Sequence, residues 1–137
     1  MKPQNFDEAI KRYNTAMSDF FKGNPVSIIN LYSNSDEISL AQLSGPFVIG
    51  RKQVAETARH NATKYQESKE ITFKILVKHV TNEFAYVVHI ERVNAKIGGS
   101  NLVTHLALRV TSIFQIENSV WRLLHRHVDS NVPADSL

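Results

Sequence analysis

The chain has 137 residues, of which 42% are hydrophobic and 21% charged, the size and composition of one globular domain whose core needs no staples. It contains no cysteine, which excludes disulfides, thiolate nucleophiles, iron–sulfur clusters and cysteine-ligated zinc. The formal charge of +3, from 16 Lys+Arg against 13 Asp+Glu, is scattered along the chain, whereas a nucleic-acid binder concentrates its basic residues in a stripe.

Met1–Ile10 is polar and mixed in charge, so it does not read as a signal peptide. No apolar run reaches the length of a membrane span. The expectation is a soluble, cytoplasmic domain over residues 1–137, with 128–137 a frayed tail carrying Pro133.

Asn5–Lys22 reads as a helix, because Phe6, Ile10, Tyr13, Met17 and Phe20/Phe21 recur at steps of three or four. Asn5 suits an N-cap, Asp7 and Glu8 suit the first turn, and Gly23 suits the stop. Pro25 opens a short second helix over Val26–Tyr32. Glu37–Ala41 alternates as a short strand, Ser44-Gly45-Pro46 is turn chemistry, and Phe47-Val48-Ile49 follows it. A third helix is expected over Arg51–Tyr65, on Val54, Ala55, Ala58, Ala62 and Tyr65. From there the chain reads as β: Ile71–Val80, Phe84–Val93, Leu102–Ile116 and Val120–Val128, joined by turns that include Gly98-Gly99 and Glu117-Asn118-Ser119.

Helices segregated from a meander of long strands mean an α+β fold. A strand as long as Leu102–Ile116 needs bulges or strong curvature. The predicted architecture is a strongly curved, mostly antiparallel sheet with three helices on its concave face, forming a cone.

Alternation sorts the strand residues into faces. Trp121, Leu123, His125 and His127 share one, against Arg122, Leu124 and Arg126. His105, Ala107, Arg109 and Thr111 share another, against Leu106, Leu108, Val110 and Phe114. Ala85, Val87, His89 and Glu91 share a third.

The closing run Leu108–Phe114, a turn, then Trp121-Arg122-Leu123-Leu124-His125-Arg126-His127 resembles the C-terminal signature of SnoaL-like domains, the ketosteroid-isomerase homologues of nuclear-transport-factor-2-like (cystatin-like) fold. Phe21–Pro25, Leu31-Tyr32-Ser33 with Asp36, Gly45-Pro46-Phe47, Gly50, and Ile90-Glu91-Arg92 before Gly98-Gly99 fit the same family in order. That fold hosts isomerases, cyclases, dehydratases, hydrolases and non-catalytic modules, so the resemblance speaks to fold more than to activity.

The ketosteroid isomerases themselves use a tyrosine and a protonated aspartic acid as oxyanion donors and an aspartate base. Tyr13 matches the tyrosine, but the base falls near Ala41 or Gln42 and the second donor near Thr111 or Ser112. With two roles missing, steroid isomerisation by that machinery is not expected.

The resemblance implies that the histidine-bearing face of each strand lines the cavity. One concave surface then holds His89, Glu91, His105, Arg109, His125 and His127, with Tyr13 and Tyr32 approaching from the helices and Trp121 nearby. The opposite apolar face would need cover, which the partner of a homodimer supplies. Histidine exchanges protons near neutrality, a neighbouring carboxylate fixes its tautomer, arginine holds a carboxylate or enolate oxygen, and tyrosine donates to a developing oxyanion. On this reading His125, His127, His105, Glu91 and Tyr13 are the catalytic candidates, and Arg109, Tyr32, His89 and Trp121 the ligand-binding ones. The plainer readings stay open: hydrogen bonding within the cone for the His125/His127 pair, an ion pair for Glu91 and Arg109, core packing for Tyr13 and Trp121.

Three histidines with Glu91 are zinc-capable residue types, but the His125/His127 pair belongs to the family signature, and that resemblance implies no metal or cofactor. There is no phosphate-binding glycine loop and no Gly-x-Ser-x-Gly elbow. The expected function is acid–base chemistry of isomerase, cyclase or lyase type on a small, mainly apolar carbonyl or enol compound, with no nucleic-acid or membrane partner. The alternative is a non-catalytic binding or oligomerisation module, since the association domain of calcium/calmodulin-dependent kinase has the same fold. A pocket of roughly 300 Å³ or more with perturbed titrating groups favours the ligand reading, and a filled cone favours the module.

Overall fold

The computed structural model describes residues 2–130. Helix α1 spans Phe6–Phe21, α2 Val26–Leu31 and α3 Arg51–Ala62; the strands are β1 Ser39–Ala41, β2 Val48–Ile49, β3 Tyr65–Val80, β4 Phe84–Ile97, β5 Val103–Glu117 and β6 Val120–Asp129. They form one six-stranded sheet in the order β2-β1-β6-β5-β4-β3. All pairings are antiparallel except β1 with β6. This is the expected α+β cone.

α1 begins where the sequence places it, with the Asn5 side chain accepting from the Asp7 amide at 2.8 Å. Its apolar stripe, from Phe6 through Tyr13 and Met17 to Phe21, is buried against the sheet. Burying one such side chain contributes about 1.5–3 kcal/mol, which is why the stripe rather than helix propensity holds α1 in place. Gly23 adopts a φ of 94° and ends the helix, as a residue without Cβ can.

Several boundaries differ from the sequence reading; β4, for one, runs on from Val93 to Ile97. α3 stops at Ala62, and β3 starts at Tyr65 rather than Ile71. Glu67 and Glu70 take positive φ (54° and 55°), and the β3–β4 register slips beside each of them. These bulges break the two-residue period that marks a strand, so this stretch carries no legible alternation. The last strand also runs to Asp129, so 128–129 are ladder residues and not tail; residues 131–137 of the predicted tail lie outside the described residues.

The β4–β5 ladder is regular from Phe84↔Gln115 to Lys96↔Val103. The β5–β6 ladder is interrupted once: Ile113 pairs with His125 but Phe114 pairs with Leu123, leaving Leu124 as an extra residue. This single bulge exchanges the faces of everything after it in β6. Trp121 and Leu123 face inward before it; Arg126 and Val128 face inward after it and are buried. Among the described residues, no helix is long and apolar enough to cross a membrane.

Candidate functional site

A cavity of about 180 Å³ lies between the helices and the concave face of the sheet. Its wall is apolar, with Met17, Phe21, Ile28, Leu40, Leu108 and Val128 among its side chains. Tyr65 lends the wall a half-buried phenol, and two polar groups of residues interrupt it. Tyr32 and Arg126 form a buried pole, and Gln42, Ser44, Asn61 and Lys64 form a partly exposed rim.

Local structure fixes Tyr32. It ends α2, and the guanidinium of Arg51 donates to the Ile29, Tyr32 and Ser33 carbonyls at 2.9, 3.1 and 3.2 Å. These are carbonyls that a helix end leaves unpaired. The Ser33 amide donates to the Leu123 carbonyl at 2.9 Å, which ties the same segment to β6.

Behind the pole is a closed polar cluster. Arg126 Nε donates to Tyr13 Oη at 2.9 Å, and Arg126 Nη2 to Glu91 Oε1 at 3.1 Å. Tyr13 Oη donates in turn to Glu91 Oε2. His89 Nδ1 lies 3.3 Å from the same carboxylate oxygen, and its Nε2 lies 3.0 Å from Ser112 Oγ. A carboxylate only accepts, so the Nδ1 proton faces Glu91 and Nε2 accepts from the Ser112 hydroxyl. Glu91 and Ser112 are fully buried, and the cluster leaves no buried side-chain polar atom unpartnered among the described residues.

Burial, and then the neighbouring Glu91 charge, push the Tyr13 hydroxyl well above its ordinary pKa, with Arg126 opposing. Burial also pushes Tyr32 up to about 12, again with Arg126 opposing. Burial holds His89 below the ordinary histidine value. Burial works against the Arg126 charge, but Tyr13, Glu91 and Tyr32 outweigh it and hold the guanidinium in its charged form. At neutral pH the pole therefore offers a phenol and a guanidinium, both donors. The Arg126 guanidinium has no acceptor to take the Tyr32 proton, so the Tyr32 hydroxyl keeps it to give.

The structure brings together only part of the surface the sequence reading predicts. His89, Glu91, Tyr13 and Tyr32 lie inside the cone. His105 and Arg109 do not: β5 turns Leu106, Leu108, Val110, Ser112 and Phe114 inward, because burying that apolar set under the helices outweighs any preference for the histidine-bearing face. The apolar face expected on the outside of the cone is thus its interior. His105 is exposed and bonded to Asn94 Oδ1 at 2.7 Å, and Arg109 pairs with Asp129 at 3.1 Å, not with Glu91. The Leu124 bulge turns His125 and His127 away from the cavity. His125 is half-buried with Nδ1 2.8 Å from Ser39 Oγ, and burial lowers its pKa; His127 is exposed. Trp121 packs edge-on to Phe6 at 5.1 Å and donates from Nε1 to the Gln4 carbonyl at 2.9 Å, away from the cavity wall.

The reading missed Arg126 and the contact of Ser112 with His89. Val128, two residues after Arg126, was an available signal that the inner face changes within β6. Ser112–His89–Glu91 has the order of a nucleophile, base and orienting acid, but the hydroxyl is sealed in the core and does not line the cavity. Among the described residues, no three His, Asp or Glu side chains are grouped so as to hold a metal ion.

With this geometry in hand, the chain was compared with known proteins. Several solved structures share its fold. A ketosteroid isomerase-like protein from Erwinia carotovora atroseptica superposes with a TM-score of 0.75 at 14% identity, covering 90% of this chain and 93% of that one. A nuclear transport factor 2-like superfamily protein from Salmonella enterica gives 0.72 at 21% identity, covering 94% and 90%. A protein from Thiobacillus denitrificans, assigned as a calcium/calmodulin-dependent protein kinase type II association domain, gives 0.70 at 15% identity, covering 96% and 98%. No curated protein matches the sequence. The profile of the SnoaL-like domain matches residues 7–134, and the chain belongs to the SnoaL-like family.

Proposed function

We propose that this protein binds a small, mainly apolar molecule of about one ring, whose carbonyl or enol oxygen lodges against Tyr32 and Arg126. The family includes isomerase-like and dehydratase-like enzymes as well as non-catalytic members, so membership alone does not choose between them. The observation that carries the reading is the composition of the cavity wall. Among the described residues its fully buried polar groups, Tyr32 and Arg126, are donors, and no carboxylate or imidazole lines it. Such a pole polarises and holds an oxygen. Moving a proton from carbon also needs a base in contact with the ligand, and His89 and Glu91 are held behind Arg126 and Tyr13. Binding and polarisation therefore have more support than the acid–base turnover expected from the sequence.

Size narrows the ligand. A cavity of about 180 Å³ falls below the roughly 300–1,000 Å³ usual for drug-sized ligands. It is close to an engineered cavity of about 150 Å³ that takes up benzene. A four-ring steroid does not fit within it. The interior is smaller than the roughly 300 Å³ expected for the ligand reading, but it is not the filled cone expected of a purely structural module.

The test is a thermal-shift series with cyclohexenone, phenol and 4-hydroxybenzaldehyde on the parent, on Tyr32→Phe and on Leu108→Trp, which fills the cavity. Ligands that bind only the native state raise the midpoint. At least one compound is expected to stabilise the parent, to bind Tyr32→Phe about tenfold more weakly through loss of one hydrogen bond, and to leave Leu108→Trp unmoved. A parent unmoved by all three at millimolar concentration, or equal shifts in all three proteins, would overturn the reading.

A further inference from the structure

The cavity holds two charged side chains on its wall, Arg126 and Lys64. They differ in what surrounds them. Arg126 is paired with Glu91 at 3.1 Å, so the buried pole is neutral overall. Lys64 follows the end of α3 and is half-buried, and among the described residues its ammonium has no ion-pair or hydrogen-bond partner. Glu67, three residues on, is taken by Lys96 at 2.6 Å. Glu56, on α3, lines the open hollow that Lys64 also borders, but it forms no ion pair with it and does not line the cavity.

Of the other rim groups, Gln42 and Asn61 are engaged, and the exposed Ser44 adds a neutral hydroxyl. Asn61 Nδ2 donates to Gln42 Oε1 at 3.0 Å, and Gln42 Nε2 donates to the Pro46 carbonyl at 2.7 Å. These contacts tie the loop after β1 to α3 at the edge of the cavity. The ammonium of Lys64 is the charged donor of the rim, with three hydrogens to give. Lys64 also lines the shallow open hollow beside Gly45, Pro46, His60 and the exposed Glu56, so its ammonium is reachable from solvent.

We infer that the ligand is an amphipathic monocarboxylate: its apolar body fills the cavity, a hydroxyl or carbonyl oxygen meets Tyr32 and Arg126, and its carboxylate pairs with Lys64 at the rim. This rests on the pocket reading above and adds the charge of the ligand to it. Among the described residues the cavity wall carries one uncompensated positive charge and no negative one. A carboxylate at the rim keeps part of its hydration while gaining the ammonium, so it avoids the desolvation penalty a buried charge incurs. A cationic ligand meets repulsion at the same place. A neutral ligand of the same shape gains nothing from Lys64.

The experiment compares 4-hydroxybenzoate with 4-hydroxybenzamide, which are nearly equal in size and differ in charge. Titration calorimetry at low salt and pH 7.5 gives Kd for each on the parent, Lys64→Met and Lys64→Arg. Methionine keeps the apolar stem and removes the charge. The parent is expected to bind the carboxylate about tenfold more tightly than the amide, as one charge-assisted hydrogen bond provides. Lys64→Met should abolish that preference without weakening the amide, and Lys64→Arg should keep it. Equal affinities for acid and amide in the parent, or a preference that survives in Lys64→Met, would overturn the inference and leave the pocket reading intact. Failure of both compounds to bind any of the three proteins at millimolar concentration would overturn the pocket reading, and this inference with it.

Discussion

Glu91 has no exposed surface, and it survives in the core because Arg126, Tyr13 and His89 surround its two oxygens. Removing a carboxylate from water costs several kcal/mol even after the protein relaxes, and a good partner offsets that cost without a large surplus. Breaking the pair should therefore hurt far more than removing it. Arg126→Met is expected to lower the unfolding free energy by about 3–5 kcal/mol, and the double variant Arg126→Met/Glu91→Leu to recover most of that loss in urea denaturation. If the double variant is as unstable as the single one, the two side chains are not coupled in the way their contact implies. His89 adds a pH dependence whose sign follows from burial. Burial chiefly holds its pKa below 6.5; the Glu91 charge pulls upward and Arg126 pushes down. The unfolded chain therefore takes up the proton first. Stability is full above the unfolded value, near 6.5, and falls as the pH drops through it toward the lower folded value, below which the loss is complete. His125, also lowered mainly by burial, contributes in the same direction. The urea midpoint should fall between pH 7.5 and 5.5, and His89→Gln should flatten that slope. An unchanged slope in the variant would place the proton uptake elsewhere.

At the scale of elements, what the sequence made legible was whatever regular geometry governs. α1 could be read to within a residue, because a 3.6-residue stripe and the Asn5 cap are both local properties. The inward face of β4, with Ala85, Val87, His89 and Glu91, could be read because the strand alternates without interruption. β6 could not be read past its middle. From Trp121 onward, strict alternation places His125 and His127 inward; the extra residue at Leu124 cancels that phase and puts Arg126 there. Nothing in Leu123-Leu124-His125 marks the bulge, because it is set by pairing with Ile113 and Phe114 across the sheet. The error in β5 was of another kind. Both faces were sorted correctly, but the side with histidine and arginine was given to the cavity on family resemblance, while burial of Leu106, Leu108, Val110 and Phe114 decides the matter. Half of the candidate site, Tyr13, Tyr32, His89 and Glu91, was thus visible from residue type and spacing. Arg126 and Lys64 needed the pairing register and the packing of α3.

For the whole molecule, the apolar face of β5 gives no reason for a homodimer, since the helices cover it. The outer face has a smaller claim of its own. Val77 pairs with Val88, and Tyr86 pairs with Ile113, so these four side chains sit side by side on the convex surface. Val77 and Tyr86 are 46% and 40% exposed. Scattered exposed apolar residues need no explanation, but a contiguous set in the middle of a sheet is what a face-to-face pairing uses. The free edge of the same sheet is a poorer candidate, because β3 is bulged and carries the charged side chains Glu67, Lys69, Glu70, Lys74 and Lys78, which oppose the addition of another strand. A homodimer of this chain should therefore be an isologous, face-to-face one, with Val77 and Tyr86 near its axis. Sedimentation equilibrium is expected to show a dimer for the parent and a monomer for Val77→Lys/Tyr86→Lys. Hydrogen exchange at the solvent-facing amides of β3 should be the same in both, because a face-to-face contact leaves the edge unpaired. A monomeric parent would refute the dimer, and a dimer whose β3 edge amides are protected would mean that the bulges and charges fail to guard the edge and that the sheet continues from one copy to the next.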